Sequence, residues 1–465
     1  MKRTASQNSE LPIPGAYPAL ALLLLINLFN YIDRYVLAAA IGPIKKTFFN
    51  QSGKSIVAGS DSLNAVIGWF QGQLGFKPED ALLGLLGTAF MLTYMAGAPI
   101  FARLAEKKSR WAIVSCGVIL WSLASGASGL AQTFSLLLLT RCCVGIGEAA
   151  YGPVAPAMIS DLFPIKIRGR VLAWFYVAIP VGSALGYVLG GWIANSNIGT
   201  WSAGLIGIGH ESWRWAFIIV MLPGIALGLH SYFMREPPRG EPALSPHGRP
   251  AAVPWRDYRI LLRTPSYVLC TLGMAAMTFA IGGIAFWMPY YLEGKPGSPG
   301  SSTIIFGAIT AISGFSATIL GGMAGDKLRA RFPSSYFLVS GAAMIVGFPI
   351  FMAALKAPFP WAIWLLIFLT CFCLFFNTGP TNTILANVTR PSIRAAGFAL
   401  NIFVIHALGD VISPVVVGLL NDYYGDMNKS FLVVGLMFIV SGVLWLIGTR
   451  YLQRDTERAS ATQNK

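Results

Sequence analysis

Runs of about 20 apolar residues recur along this chain. Each is long enough, as a helix, to cross a hydrocarbon layer of roughly 30 Å. Only 11% of the residues are charged and 55% are hydrophobic, whereas soluble domains average roughly 25% charged. Alternating ten-residue segments of the outer-membrane barrel kind are absent. The reading is an all-α protein that crosses a membrane many times.

A formal net charge of +15 raises the question of nucleic acid. The Lys and Arg residues fall mostly in short connections and tails, without interleaved aromatics on a polar surface. That distribution excludes a nucleic-acid partner and leaves the basic excess as a signal of topology. The six cysteines (Cys116, Cys142, Cys143, Cys270, Cys371 and Cys373) all lie in apolar segments, where Cys is a small packing residue. None has metal-ligand spacing, so no metal site is expected, and they say nothing about redox compartment.

Twelve spans fall near 17–40, 79–102, 111–130, 134–161, 171–194 and 214–234, then 266–292, 303–325, 335–355, 361–387, 396–420 and 430–451. They define a tail (1–16), a six-helix half (17–234), a linker (235–265), a second six-helix half (266–451) and a tail (452–465). The linker is rich in Pro and charge and reads as exposed. With both tails inside, the inner segments hold about 24 Lys and Arg and the outer ones about 8. The positive-inside rule then places both termini in the cytoplasm.

The halves repeat each other. FARLAEKKSR (101–110) follows span 2 and GGMAGDKLRA (321–330) follows span 8, so Glu106-Lys107 and Asp326-Lys327 stand 220 residues apart. KIRGRVLA (166–173) and SIRAAGFA (392–399) each lead into the fifth span of a half. Parallel six-helix repeats mark alternating-access carriers, with the site near the midplane.

Inside the apolar runs stand a few charges. Asp33 and Arg34 are neighbours in NLFNYIDRYVL (27–37); they project about 100° apart on a helix and need partners elsewhere. Span 4 offers them: Arg141, Gly145 and Glu148 recur at i, i+4 and i+7 on one face. Intramembrane ionisable groups are costly and mark functional sites by default. Arginine forks well onto phosphate or carboxylate, and a carboxylate that desolvates between conformations can take a proton. The alternative is a charge network that only holds spans 1 and 4 together. In the second half, Asn377 and Thr381 share a face beside Pro380, which frees a carbonyl in midspan. His406 and Asp410, at i, i+4, can interact as a second proton-sensitive pair or as packing. Gly182, Gly186 and Gly190 form small-residue steps whose default use is close helix packing.

Here the chain resembles the major facilitator superfamily over nearly its whole length. RCCVGIGEA (141–149) is similar to the superfamily's RxxxGxG element and WRWAF (213–217) to its usual opening of helix 6. More narrowly, NYIDRYVLA (30–38), GEAAYGPVAPAMISDLFP (147–164) and HALGDVISPVVVGLLND (406–422), in that order, resemble the spinster family. One departure is Ala105-Glu106-Lys107, where the superfamily prefers Gly-Asp-Arg; a Lys lacks the bidentate contacts of Arg. A long outer loop (43–78) is another, and it carries Trp69 in an apolar stretch.

The resemblance implies twelve helices and secondary active export or exchange of an amphipathic anion, a lysophospholipid or sphingoid phosphate, coupled to protons. Arg34, Arg141, Asn377 and Thr381 are the expected substrate residues. Asp33, Glu148, His406 and Asp410 are the expected proton-coupling residues. Glu106, Lys107, Asp326 and Lys327 form the expected cytoplasmic gate. The competing reading is a proton-coupled carrier of small organic anions or drugs. A sensor or scaffold would not need buried charge in span 4. An enzyme would need a nucleophile-base set, a metal spacing or a nucleotide loop, and none is present; no cofactor is expected. Short tails and a compact linker point to a bacterial inner membrane, and a monomer is expected.

Overall fold

A computed structural model describes residues 11–49, 61–200, 210–236, 255–295, 302–390 and 393–461. Most of the linker, both chain ends and part of the first outer loop lie outside the described residues. Among the described residues, twelve helices are long and apolar enough to cross a membrane, and there are no strands. In lipid every backbone N–H and C=O must be satisfied within the protein, and a helix does this within one segment. The spanning helices are labelled α1 (Ala16–Ala39), α2 (Glu79–Lys107), α3 (Arg110–Leu130), α4 (Phe134–Leu162), α5 (Ile165–Ala194) and α6 (Trp213–Tyr232). They continue as α7 (Pro265–Glu293), α8 (Ser302–Arg329), α9 (Ser335–Lys356), α10 (Pro360–Val388), α11 (Ala396–Tyr424) and α12 (Met427–Gly448).

Two compact units emerge: residues 1–63 with 89–250, and residues 64–88 with 251–465. The first ten residues of α2 therefore pack with the second unit. In the first unit α5 lies along α1, and the small-residue stripe makes this possible. A Cβ on Gly182 would sit 2.6 Å from Tyr31 Cβ, and one on Gly190 2.8 Å from Ala39 Cβ. At one end of this unit Arg110 pairs with Asp161 and, at 2.8 Å, with Glu236, tying the start of α3 to the end of α4 and the residues after α6.

Three spans are interrupted. α4 breaks between Phe134–Ala149 and Val154–Leu162. α10 breaks between Pro360–Phe375 and Thr378–Val388. Pro380 cannot donate to the carbonyl four residues back, which is Phe376; that carbonyl lies against Gly321 of α8, where any Cβ would collide with it. α11 contains a π-helical segment, His406–Asp410, with Gly409 at φ −107 and ψ −106. π-Bulges inside helices frequently sit at functional sites.

Candidate functional site

In the first unit the neighbours Asp33 and Arg34 reach different partners, as their angular separation requires. Arg34 Nε donates to Glu148 Oε2 at 2.6 Å. Asp33 Oδ2 lies 4.0 Å from Arg141 Nη2, and its other oxygen accepts from Ser125 Oγ of α3. Two ion pairs thus cross between α1 and α4, each helix giving one acid and one arginine. Arg141 Nη2 also donates to Ser128 Oγ at 3.2 Å, and its guanidinium lies 5.3 Å from the Phe217 ring centre. Gly145, between the charged positions of α4, lies where a Cβ would collide with Phe90 O and Thr93 Oγ1 of α2. The glycine lets α2 close over the pairs.

The two pairs differ in access. Asp33, Arg141 and Glu148 are each only 1% exposed, while the Arg34 side chain keeps 19%. Arg34 and Glu148 line a cavity of about 180 Å3 together with Asn27, Asn30, Tyr94 and Tyr176. The Arg34 guanidinium lies 5.0 Å from the ring centres of Tyr31 and Tyr94 and 5.1 Å from that of Phe90. Three aromatic faces hold a cation by its ring quadrupoles and leave the guanidinium edge for an oxyanion. Asp33 and Arg141 do not line this cavity; they stand buried beside it.

In the second unit, Asn377 and Thr381 are both fully buried and both turn onto their own helix. Asn377 Nδ2 donates to Cys373 O at 2.9 Å, and Thr381 Oγ1 to Asn377 O at 2.8 Å. They satisfy backbone carbonyls at the break in α10, while Asn377 Oδ1 is buried with no hydrogen-bond partner. His406 Nδ1 meets both Asp410 oxygens, at 2.9 and 3.0 Å, across the π segment. The four residues expected to form a gate, Glu106, Lys107, Asp326 and Lys327, are all exposed at helix ends, and Asp326 accepts from Tyr336 Oη at 2.7 Å within its own half. Trp287 donates to Pro414 O at 2.8 Å, so this aromatic of α7 packs against α11.

Residues 23–414 match the profile of the Major Facilitator Superfamily. Among curated relatives, spinster homolog 1 of human (Homo sapiens) is 34% identical across 94% of this chain and 81% of its own length. Spinster homolog 3 of zebrafish (Danio rerio) is 30% identical across 97% and 89%. A zebrafish sphingosine-1-phosphate transporter is 31% identical across 94% and 85%. The chain belongs to the spinster family of the major facilitator superfamily. A solved bacterial homolog of the human lysosomal transporter spinster superposes with a TM-score of 0.79 at 23% identity, over 95% of this chain and 98% of that one. A D-xylose–proton symporter superposes at 0.70 and 15% identity, over 92% and 97%. These structures carry the fold, and the family makes the chain a membrane transporter rather than an enzyme.

Several residues of this spinster-family site escape a reading by charge alone. Ser125, the hydrogen-bond donor to Asp33, sits in SLASGASGL, where small residues look like packing. Tyr94 and Phe90 on α2 carry no charge, and nothing in their spacing links them to Arg34. Asn30 and Tyr31 lie within the very motif that carries the family resemblance, so position in that motif was the available signal.

Proposed function

We propose that this transporter moves an amphipathic anion of the lysophospholipid or sphingoid-phosphate type by alternating access, coupled to protons, as a monomer in a cell membrane with both termini cytoplasmic. The observation that carries the reading is the Arg34–Glu148 pair in the wall of a cavity. The named activity of the zebrafish sphingosine-1-phosphate transporter supports the substrate class. A phosphate entering the cavity competes with Glu148 for Arg34, because a guanidinium forks onto phosphate as well as onto carboxylate. A buried carboxylate stripped of its cation is costly, so Glu148 then takes a proton. Substrate and proton act on each other through the shared arginine, and linkage makes that influence reciprocal for binding. Asp33 and Arg141 hold the adjoining helices in register and keep a second acid beside the first.

The test is reconstitution in liposomes with lysolipids, sphingoid phosphates and small organic anions, with and without a pH gradient. Arg34→Ala should lower transport of the anion by roughly ten- to a hundredfold, the loss of a charge-assisted contact of about 1.5–3 kcal/mol. Arg34→Lys should recover part of it, since a point charge replaces a fork. Full transport by the alanine variant sinks the assignment. A second reading has one observation in its favour: about 180 Å3 is below the roughly 300–1,000 Å3 of pockets that enclose drug-sized ligands. It suits a headgroup with its chain outside, or a small organic anion, and the substrate panel separates the two.

A further inference from the structure

The second unit has another cavity, of about 250 Å3, lined by none of the residues assigned above. It forms where the helix Trp255–Leu262, the start of α7, the end of α10, the start of α11 and the C-terminal helix Leu452–Ala461 meet. Arg263, Arg390 and Arg458 line it, one from each of three separate segments. The carboxylate in its wall, Asp455, is 3% exposed and already engaged. It accepts from Ser266 N at 3.0 Å, capping α7, and contacts Arg454 at 3.1 Å. Its charge is thus directed at the helix start and at an arginine outside the lining. Leu261, Val388 and Ile393 give the cavity buried apolar walls, while Leu262, beside Arg263, is 59% exposed.

We infer that this cavity binds a phosphate-bearing anion. Arg263 and Arg390, from separate segments in the wall of one concavity, would offer forked donors to phosphate oxygens. Basic pockets between spanning helices at the membrane edge suit anionic lipid headgroups, and the exposed Leu262 beside the arginines suits an adjoining acyl chain. A free phosphate would use the same donors. Occupancy would tie the linker helix and the C-terminal helix to α7, α10 and α11, so bound anion should stabilise the folded protein.

The experiment follows unfolding of the full chain in detergent during titration with short-chain phosphatidylglycerol, short-chain phosphatidylcholine or inorganic phosphate. Phosphatidylglycerol should raise the unfolding temperature and phosphatidylcholine should not. Arg263→Gln and Arg390→Gln should each weaken the effect roughly fivefold, and Arg331→Gln, outside the cavity, should leave it unchanged. If inorganic phosphate produces the arginine-dependent shift and the lipid does not, the site is confirmed with a soluble ligand. Arg263→Lys and Arg390→Lys keep the charge, guard against failure of the glutamine variants to fold, and should weaken binding less. A parent protein indifferent to all anions, or a shift undiminished in the Gln and Lys variants alike, overturns the inference.

Discussion

Carboxylates in the two units keep different company. In the first unit Glu148 meets Arg34, Asp33 meets Arg141, and Asp161 and Glu236 meet Arg110. In the second, Asp422 accepts from Asp80 N and Ala81 N at 2.9 and 2.8 Å, Asp426 from Asn428 N at 2.9 Å, and Asp455 from Ser266 N. Three acids there cap helix starts, one of them, Asp455, also touching Arg454, and Asp410 faces a histidine. A backbone N–H at a helix start is a neutral, fixed donor whose partner never leaves. An arginine is a charge on a long stem, and any anion can compete for it. The first arrangement suits chemistry that changes during a cycle; the second suits a scaffold.

The largest effect expected from this contrast is on stability. Arg141→Ala leaves Asp33 buried without its cation and should destabilise the protein by about 3–5 kcal/mol. Adding Asp33→Asn should restore most of that, because a neutral amide no longer needs the arginine. Asn377→Ala in the second unit removes only hydrogen bonds to its own helix and should cost about 1 kcal/mol. Thermal unfolding in detergent measures all three. Equal losses for Arg141→Ala and Asn377→Ala would erase the distinction between the units.

The next effect concerns protons. Glu148→Gln keeps the shape of the acid but cannot exchange a proton, so transport should lose its response to an imposed pH gradient while substrate binding persists. Asp410→Asn, on the π segment of α11, should keep the gradient response if that pair serves the bend rather than the coupling. Liposome uptake at matched and unmatched pH distinguishes them. A flat response in Asp410→Asn with a normal one in Glu148→Gln would move proton coupling to the second unit.

Much of the architecture is legible in the sequence because membrane spans announce themselves by length and apolarity, a requirement that acts on each segment alone. The buried charges are legible for the same reason: Asp33, Arg34, Arg141 and Glu148 violate that requirement. Which acid meets which arginine is not, since it depends on how α1 and α4 rotate against each other. Their cross-pairing and the help from Ser125 appear only with the packing. The polar residues at 377 and 381 bond to carbonyls of their own broken helix, and a helix break and a binding site need the same residue types, so sequence alone does not separate the two uses. The aromatic cage of Arg34 draws on α1 and α2, and no local pattern joins two helices. Short helices that cap or dock, such as Leu452–Ala461, are polar and look like tail.

The smallest effect tests whether the second unit's acids work as caps. Asp426 begins α12: its Oδ1 accepts from Asn428 N at 2.9 Å and from Asn428 Nδ2 at 3.0 Å, and Tyr291 of α7 donates to Asn428 Oδ1 at 2.6 Å. The hydrogen bond from Asn428 N, outweighing a small opposing effect of burial, holds the Asp426 carboxyl below the usual carboxylate range. A depressed acid stabilises above its unfolded value, and that contribution fades as pH falls through the folded one. The first turn of α12 should therefore exchange its amide protons faster in acid than at neutral pH, once the intrinsic pH dependence of exchange is removed. Asp426→Ala should loosen that turn at neutral pH by about 1 kcal/mol or less, the usual worth of a cap at a partly exposed site, and abolish its acid sensitivity. Asn is as good a cap as Asp, so Asp426→Asn should retain most of the protection and also lose the pH dependence. Here the neutral substitute works, whereas at Glu148 it should not, and that is the difference between a cap and a coupled acid. If Asp426→Asn proved as damaging as Asp426→Ala, the charge itself would be the working part, and the second unit's acids would resemble those of the first.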